Sequence, residues 1–233
     1  RSVTKMPSYK LKTISGQTVI HHPYPPEAQR PPITNCIKVV TIDPGTRNIS
    51  LGAGYKMAGM QPVISCMELF DATQGVDSNT DQLFGNLTRW LMKYTQTFRE
   101  AHYIIIERQR DENYMAIRVA QHVLSFVMMV VLDSPCMPTI VELDNKVKTK
   151  TCPKGANKRE YKRWSVIQFS KYLVAARDLT TLQFMTSQSK MDDLSDIWQQ
   201  VQAFMAECGI VWYDTTCLDY SIAIKFEFYS ALP

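Results

Sequence analysis

The sequence predicts an α/β domain built on a mixed five-stranded sheet that is flanked by helices. Three observations support this fold class: three β-rich segments with short connections come first, two short apolar runs follow, and segments with helical periodicity separate and follow those runs. The chain has 233 residues, of which 45% are hydrophobic and 21% charged, so it is long enough to bury a substantial core.

Half of the prolines lie in residues 1–34, most densely in the stretch HHPYPPEAQRPP. Proline has a fixed φ and no backbone N–H, so this stretch cannot form an interior strand or helix. We therefore expect a proline-rich N-terminal arm over residues 1–34 and a folded domain over 35–207. A C-terminal extension, residues 208–233, is expected to pack on that domain.

The predicted elements follow one another without internal repeats. The strand CIKVVTID ends in the turn Asp43-Pro44-Gly45, and NISLGAGYKM and PVISCMELF are the next two strands. Asp81 to Phe98 has helical spacing, and Tyr103 to Glu107 is typical of a buried central strand. A long apolar helix from Tyr114 to Leu132 comes next, followed by a strand from Pro138 to Leu143 and a lysine-rich loop. Two helices end the domain, one from Arg159 to Ala176 and one from the N-cap candidate Ser189 to Glu207. This order, βββαβαβαα, resembles the layout of RNase H-like domains.

Four acidic residues lie where these elements end. Asp43 ends the first strand, Glu107 ends the fourth, and Asp193 and Asp196 lie near the start of the last helix. Carboxylates beside apolar strands are costly unless a positive charge neutralises them, and Mg²⁺ prefers oxygen ligands. If the four groups converge, they form a site for one or two Mg²⁺ ions and for metal-assisted phosphodiester chemistry.

Each acid also has an ordinary structural explanation. Asp43 is compatible with a plain turn residue, Glu107 with a strand-end ion pair, and the helix acids with a response to the helix dipole. Spacing of i, i+3 nevertheless places Asp193 and Asp196 on one helical face. Asp192 is turned away by about 100°, so we expect it to support the site rather than to form it.

The basic residues are concentrated in one part of the chain. The net charge is only +4, yet Lys146 to Lys171 contains nine basic residues and one acid. Such local basicity suits a polyanion that meets one face of the domain, although a charge run is usually a solvated face. Tyr161 and Trp164 interleave these charges and are candidates either for base stacking or for the core, and we favour the core for Trp164.

At this point several segments carry a family resemblance. IDPGTRN, IIIERQ and SKMDDLSDIWQQ resemble the motifs of the RuvC-type Holliday junction resolvases, most of all the poxvirus and large DNA virus branch of the RNase H-like superfamily. That branch has an Asp on its first strand and E-R-Q at the end of a later strand. Its K-x-D-D-x-x-D helix is matched here by Lys190, Asp192, Asp193 and Asp196. The helix KREYKRWSVIQFSKYL is similar to the basic helix of the family, and the likeness runs from Val39 to Met205.

The resemblance implies a metal-dependent endonuclease that resolves four-way and other branched DNA by paired phosphodiester hydrolysis, leaving 5′-phosphates. The catalytic and metal-binding acids of the family map onto Asp43, Glu107, Asp193 and Asp196. These acids would hold two Mg²⁺ ions, with Mn²⁺ as a substitute and no organic cofactor. Lys190 is a further catalytic candidate, as a contact to the scissile phosphate or the attacking water, with a solvated lysine as the equal alternative. Gln109 and Asp192 are supporting candidates.

Branched DNA and a second copy of the chain are the expected partners. The residues expected to contact DNA are Lys146, Lys148, Lys150, Lys154, Lys158, Arg159, Lys162 and Arg163. Paired cleavage of two strands implies a twofold homodimer. The helix from Tyr114 to Leu132 has more apolar surface than one sheet face requires, so it is a candidate for the dimer interface. The alternative is that the C-terminal segment covers this helix.

Competing functions have different sequence requirements. Another RNase H-like nuclease, of the transposase or terminase type, would use the same acids, but an RNase H proper carries its Glu on a helix, whereas Glu107 ends a strand. A non-catalytic branched-DNA-binding module would need the basic segment and not the four acids. The loop at Asp43 also resembles the phosphate loop of actin-like sugar kinases, which need a second D-x-G loop and a longer chain.

We expect an intracellular location at sites of DNA replication, which for a viral protein is the viral factory in the cytoplasm, or the nucleus, of an infected cell. Six scattered cysteines without metal-like spacing indicate reduced thiols. The apolar stretch from Val119 to Leu132 is interrupted by polar residues and is too short to span a bilayer. The chain starts at Arg1 without a methionine, so a trimmed organelle-targeting segment is compatible with the sequence.

Overall fold

The computed structural model of the chain describes residues 11–14, 17–22, 36–74, 80–135, 138–149, 152, 155–210 and 212. Its seven strands are β1 (Leu11–Ile14), β2 (Gln17–His22), β3 (Cys36–Asp43), β4 (Ile49–Met57), β5 (Val63–Phe70), β6 (Tyr103–Arg108) and β7 (Thr139–Asp144). They form one mixed sheet in the order β1-β2-β7-β6-β3-β4-β5.

The five strands from β3 to β7 form the mixed sheet that the sequence predicts, so the predicted fold class is confirmed. The central strand β3 pairs antiparallel with β4 and parallel with β6, and β6 pairs parallel with β7. The meander β3-β4-β5 follows the predicted order, and its strand bounds agree with the prediction to within a residue.

The hairpin β1-β2 extends this sheet, because β2 pairs antiparallel with β7 and places His22 opposite Ile140. The sequence assigned these residues to the N-terminal arm and predicted no strand there. The prolines explain the difference: the dense proline stretch follows β2, so the preceding residues keep the backbone N–H groups that a sheet requires.

Seven helices complete the described part of the chain. They are α1 (Thr80–Met92), α2 (Thr95–Glu100), α3 (Tyr114–Val131), α4 (Asn145–Thr149), α5 (Lys158–Ala175), α6 (Leu179–Ser187) and α7 (Met191–Glu207). The single helix predicted from Asp81 to Phe98 is two helices, α1 and α2, since the chain turns at Lys93 and Tyr94. The short helices α4 and α6 were not predicted.

Two hydrophobic cores lie on opposite faces of the sheet. Helices α1, α2 and α3 pack with Val40, Ile42 and Ile104 on one face, whereas α5, α6 and α7 pack with Val39 and Ile105 on the other. Because side chains alternate along a strand, the face of β3 that carries Val39 also carries Asp43. The acid at the end of β3 therefore lies on the same side of the sheet as α7.

A glycine allows α7 to lie close to the sheet. A Cβ atom at Gly52 would meet Ile197 Cδ1 at 3.0 Å and Thr41 Cγ2 at 3.3 Å. Thr41 on β3 also donates its hydroxyl hydrogen bond to Gln200 Oε1 on α7. These contacts hold the second and third turns of α7 against β3 and β4.

The helix α3 is longer than the apolar stretch considered from sequence. Its 18 residues and mean hydropathy of 1.6 satisfy, on length and composition alone, the requirements for crossing a membrane, and no other helix in the described ranges does so. Val119, Val123 and Val127 are nevertheless fully buried in the core against the sheet. One face of α3 therefore packs on the sheet, while Met129 on the helix and its C-cap residue Leu132 are exposed.

Candidate active site

The ends of two adjacent parallel strands bring Asp43 and Glu107 together. Ile42 of β3 is in register with Ile106 of β6, so the acid that follows each isoleucine lies at the same edge of the sheet. The two carboxylates are close enough for the charge of Glu107 to raise the pKa of Asp43. The strand β3 ends here because the chain turns tightly: a Cβ at Gly45 would lie 2.6 Å from the carbonyl oxygen of Asn48.

The first turns of α7 supply the other two acids. The helix begins at Met191 with Lys190 as its N-cap residue, so the predicted N-cap at Ser189 is wrong by one position. The N-cap side chain makes no capping hydrogen bond, and the first turn carries acidic residues, which the positive end of the helix dipole favours. Asp193 and Asp196 follow each other at the predicted i, i+3 spacing.

Lys148 lies inside this acidic cluster. Its Nζ is 2.7 Å from Glu107 Oε2 and 3.4 Å from Asp196 Oδ2, and the residue is only 5% exposed. The sequence placed Lys148 among the residues that contact DNA, and its burial among carboxylates corrects that prediction. A sequence signal existed: Lys148 follows the end of β7 by one helical turn, and β7 pairs with the strand that carries Glu107.

The charges of this cluster act strongly on one another. Burial, and next the charge of Glu107, raise the pKa of Asp43 well above its usual range. Burial also raises the pKa of Asp196, although Lys148 opposes that shift. Burial alone would lower the pKa of Lys148, but Glu107, Asp196 and Asp43 outweigh it and raise this pKa. Three carboxylates and one ammonium group therefore form one electrostatic unit.

Asp193 lies at the outer side of this unit. Burial, followed by the charge of Asp192, raises the pKa of Asp193 to about 6, while Lys162 and Lys190 act in the opposite direction. Lys190 is exposed, and its charge acts on Asp193 and thus on the acidic edge.

The two residues predicted to support the site have distinct contacts. Gln109, just beyond the end of β6, donates from Nε2 to Asp43 Oδ1 at 3.4 Å. Asp192 forms an ion pair with Lys162 of α5, and its backbone carbonyl accepts a hydrogen bond of 2.9 Å from Ser195 Oγ. Asp192 therefore links α7 to α5 and does not face the ends of β3 and β6.

The cluster contains carboxylate oxygens, the kind of ligand that a hard divalent cation prefers. Asp196 Oδ1 is buried and has no hydrogen-bond partner among the described residues, so one carboxylate oxygen is available as a ligand. No group of three Asp, Glu, His or Cys side chains in the described ranges is drawn closely enough together to hold a metal ion. Lys148 supplies the positive charge between Glu107 and Asp196 in this arrangement.

The other predicted DNA contacts lie mostly on the outer surface of α5 and beside α4. Lys146, Lys158, Arg159 and Arg163 are exposed, and Lys162 is half-buried beside Asp192. Lys150 and Lys154 lie outside the described residues. Trp164 is half-buried and Tyr161 is buried, with their ring centroids 6.1 Å apart.

Two further predictions, reduced cysteines and a C-terminal extension that packs on the domain, can be compared with the structure only at the described residues. Cys36, Cys66, Cys152 and Cys208 are free thiols, and the remaining cysteines lie outside the described residues. Trp212 is 2% exposed and its carbonyl oxygen accepts a hydrogen bond of 2.8 Å from Lys56 Nζ, so the extension contacts the domain at that residue. Residues 213–233, assigned to the same extension, lie outside the described part.

Comparison with known proteins identifies solved structures that have a similar fold. No family model and no curated protein matches this chain. Among solved structures, it is similar to the yeast mitochondrial Holliday junction resolvase Ydc2, with 16% identity and a TM-score of 0.52 over 76% of this chain and 84% of that one. It is also similar to the fowlpox virus resolvase, which was solved with a Holliday junction DNA substrate, with 14% identity and a TM-score of 0.52 over 74% of this chain and 99% of that one.

These two likenesses span most of both chains and confirm the resemblance found in the sequence motifs at the level of the fold. The central sheet with the acids at its edge and α7 across it is the part of the chain on which the motifs fall. The chain has the RNase H-like fold of the Holliday junction resolvases.

Proposed function

We propose that this protein is a metal-dependent endonuclease that resolves Holliday junctions and other branched DNA by paired phosphodiester hydrolysis. The observation that carries the proposal is the convergence of Asp43, Glu107 and Asp196, from two strands and a helix, on the buried Lys148. A binding module gains nothing from burying three carboxylates, because their desolvation is costly. The fold shared with two resolvases supports the same function.

Each residue of the site has a role in this proposal. Asp43, Glu107, Asp193 and Asp196 would hold two Mg²⁺ ions, or Mn²⁺ in their place. When bound, these ions would supply Lewis acidity and lower the pKa of water. Attack of that water on phosphorus with cleavage of the P–O3′ bond would leave a 5′-phosphate and a 3′-hydroxyl. Gln109 holds the Asp43 carboxylate in place, and Asp192 holds Lys162 at the junction of α5 and α7. Lys190, exposed at the start of α7, is placed to meet a phosphate.

The exposed cations of α5 support the choice of DNA as the substrate. Lys158, Arg159 and Arg163 are exposed on α5, the helix whose Tyr161 is affected by the charges of Asp196, Lys148 and Glu107, so we infer that a bound phosphate backbone crosses this helix near the site. A twofold dimer would present two such sites to the two strands of a junction. The exposed Met129 on α3 and the C-cap residue Leu132 belong to the apolar surface proposed for this contact.

The decisive experiment is a cleavage assay on a four-way junction beside linear duplex, flap and RNA–DNA hybrid substrates, with and without Mg²⁺. We expect paired nicks in the junction that require Mg²⁺ and carry 5′-phosphates. Asp43→Asn and Glu107→Gln should abolish cleavage and leave junction binding intact. Glu100→Gln is the matched control, since Glu100 is exposed and pairs with Lys38 at the other end of β3.

The same assay separates the competing functions. Equal cleavage of all substrates would favour another RNase H-like nuclease, of the transposase or terminase type. Tight junction binding without cleavage in Mg²⁺ or Mn²⁺ would favour a non-catalytic branched-DNA-binding module. Full cleavage by Asp43→Asn would contradict the assignment of the metal-binding acids. Light scattering with and without Met129→Lys tests the dimer.

A further inference from the structure

Tyr161 is a buried residue beside the acid cluster, and the proposed mechanism gives it no role. Its side chain is 8% exposed, yet its hydroxyl oxygen has no hydrogen-bond partner in the described part of the chain. A buried hydroxyl without a partner costs stability, so such a group in a folded protein calls for an explanation.

The packing of α5 on α7 points Tyr161 towards the acids. Tyr161 and Ser165 lie four residues apart on one face of α5, and Ser165 Oγ donates to Ser195 Oγ at 3.0 Å. Ser195 directly precedes Asp196, so Tyr161 lies one helical turn from the contact that fixes this part of α7. The charges of Asp196, Lys148 and Glu107 all affect the pKa of the Tyr161 phenol, so the side chain lies within electrostatic range of the cluster.

The phenol stays a hydrogen-bond donor in this environment. Burial, and then the charge of Asp196, raise the pKa of Tyr161, so the hydroxyl remains protonated at neutral pH. Asp196 Oδ1 also lacks a partner, but the two atoms do not bond to each other. Tyr161 Oη is therefore an unused donor and Asp196 Oδ1 an unused acceptor among the described residues. The acceptor suits a cation, and the donor suits an anionic oxygen that accompanies it.

Tyr161 also belongs to the helix that carries the exposed basic residues. Lys158 and Arg159 precede it and are exposed, and Lys162 follows it and is half-buried. Lys148, the one cation inside the cluster, is already engaged by Glu107 and Asp196. A phosphate brought to the carboxylates by the basic helix would therefore find in Tyr161 a neutral donor that no described residue engages.

We propose that Tyr161 contacts the substrate, donating a hydrogen bond from Oη to a non-bridging oxygen of the phosphate that is cut. This inference rests on the proposed function and adds a residue to it. The donor would strengthen its bond as negative charge develops on that oxygen, which is how a fixed donor accelerates a reaction.

The test compares Tyr161→Phe with wild type and with Tyr172→Phe. Tyr172 is an equally buried tyrosine of the same helix, but its hydroxyl donates to the carbonyl oxygen of Pro62. Removing a hydroxyl without a partner is neutral or stabilising, so Tyr161→Phe should keep or raise the thermal unfolding midpoint. Tyr172→Phe should lower the midpoint and cut at the wild-type rate.

Three further measurements decide the role of Tyr161. The single-turnover cleavage rate of Tyr161→Phe should fall about 100-fold, with junction affinity in the absence of metal unchanged. Mn²⁺ affinity of the free protein should be unchanged. A phosphorothioate at the scissile position, in one of its two stereoisomers, should slow wild type more than Tyr161→Phe, because sulfur accepts hydrogen bonds poorly and the variant has no donor to lose.

Each opposite result overturns the inference. A rate loss below about tenfold would be too small for a donor to the reacting phosphate. A loss of Mn²⁺ affinity of about tenfold or more would show that Tyr161 acts through Asp196 instead. If the rate loss from Tyr161→Phe and the rate loss from the phosphorothioate were additive for both stereoisomers, the contact would be excluded. A wild-type protein that does not cut the junction overturns the proposed function itself, whereas a cutting wild type matched by Tyr161→Phe overturns this inference alone.

Discussion

Lys148 Nζ lies 2.7 Å from Glu107 Oε2, and the two side chains are 6% and 10% exposed. Asp196 Oδ2 lies 3.4 Å from the same ammonium group. The residue that best neutralises the acid cluster is thus a lysine that comes 41 residues after Glu107 in the sequence. In the absence of a bound metal, this ammonium group is the charge that allows the carboxylates to be buried.

Replacing Lys148 by methionine should destabilise the metal-free protein. The change leaves Glu107 and Asp196 without a cation, and breaking a buried ion pair in this way costs roughly 3–5 kcal/mol. Mg²⁺ should restore part of the loss, because the ion neutralises the same carboxylates. Urea unfolding with and without Mg²⁺ measures both effects.

Lys162→Met is the control for this change. Lys162 pairs with Asp192 near the surface, and its side chain is 36% exposed, so its loss should cost about 1 kcal/mol or less with no effect of Mg²⁺. If Lys148→Met lost the same stability with and without Mg²⁺, the lysine and the metal would not share the same carboxylates.

Asp193→Asn should stabilise the metal-free protein near neutral pH. The pKa of Asp193 is about 6 in the folded chain against 3.8 for an unperturbed Asp, so the folded state binds more protons than the unfolded state between these values. Wild-type stability therefore falls as the pH rises through this window, and asparagine removes that loss. Thermal unfolding of both proteins across pH 4 to 8, to be scanned in steps of about one unit, should show midpoints that converge at the acid end.

The raised pKa values of Asp193 and Asp43 should together limit activity on the acid side. Metal binding needs the ionised form, so Mg²⁺-dependent cleavage by wild type should decline as the pH falls below about 6. Asp193→Asn should lack cleavage at every pH. A variant as stable as wild type across the whole range, or a wild-type rate independent of pH, would contradict the shifted pKa.

Neutralising the exposed face of α5 should weaken DNA binding and reduce its salt dependence. The triple variant Lys158→Ala, Arg159→Ala and Arg163→Ala removes three exposed cations without touching the buried cluster. The slope of log affinity against log salt should fall by about 1 for each cation that no longer meets a phosphate. Fluorescence anisotropy with a four-way junction provides the measurement.

Lys93→Ala is the matched control, since Lys93 is exposed at the end of α1, on the opposite face of the sheet. Its salt slope should equal that of wild type. An unchanged slope in the triple variant would mean that this part of α5 is only a solvated surface.

Gly52→Val should separate the helix acids from the strand acids. A Cβ at Gly52 already comes within 3.0 Å of Ile197 Cδ1, and the branched side chain of valine would push α7 away from the sheet. Because Ile197 is next to Asp196, we expect lower stability together with lower Mg²⁺ affinity. Gly52→Ala should have a milder effect, since the flexible end of Ile197 can move.

Gly85→Ala serves as the comparison for this change. Gly85 lies within α1 and a Cβ there has open space, so alanine should add about 0.5–1 kcal/mol of stability through helix propensity. For the variants at both glycines, isothermal titration measures the Mn²⁺ affinity and thermal unfolding measures the stability. Unchanged Mn²⁺ affinity in Gly52→Val would show that α7 does not depend on this close approach.

The elements that the sequence predicted well are those with a strong local pattern. The apolar run ending at Asp43 and the one ending at Glu107 became adjacent parallel strands, because such runs are stable only in a sheet interior. The helix with Asp193 and Asp196 begins one residue later than expected. The missed elements were short, such as α4, which lies in a lysine-rich segment whose composition indicates a loop.

The sequence by itself determined the mixed α/β sheet and the candidate acids, since periodicity, turn residues and the i, i+3 spacing are properties of neighbouring residues. Only the tertiary structure decided which polar groups share the interior. It placed Lys148 among the acids, paired Asp192 with Lys162, and left the Tyr161 hydroxyl without a partner beside the cluster, among the residues that the structure describes. The physical reason is that burial and charge pairing depend on how α4, α5 and α7 pack across long sequence separations, and composition does not specify that packing.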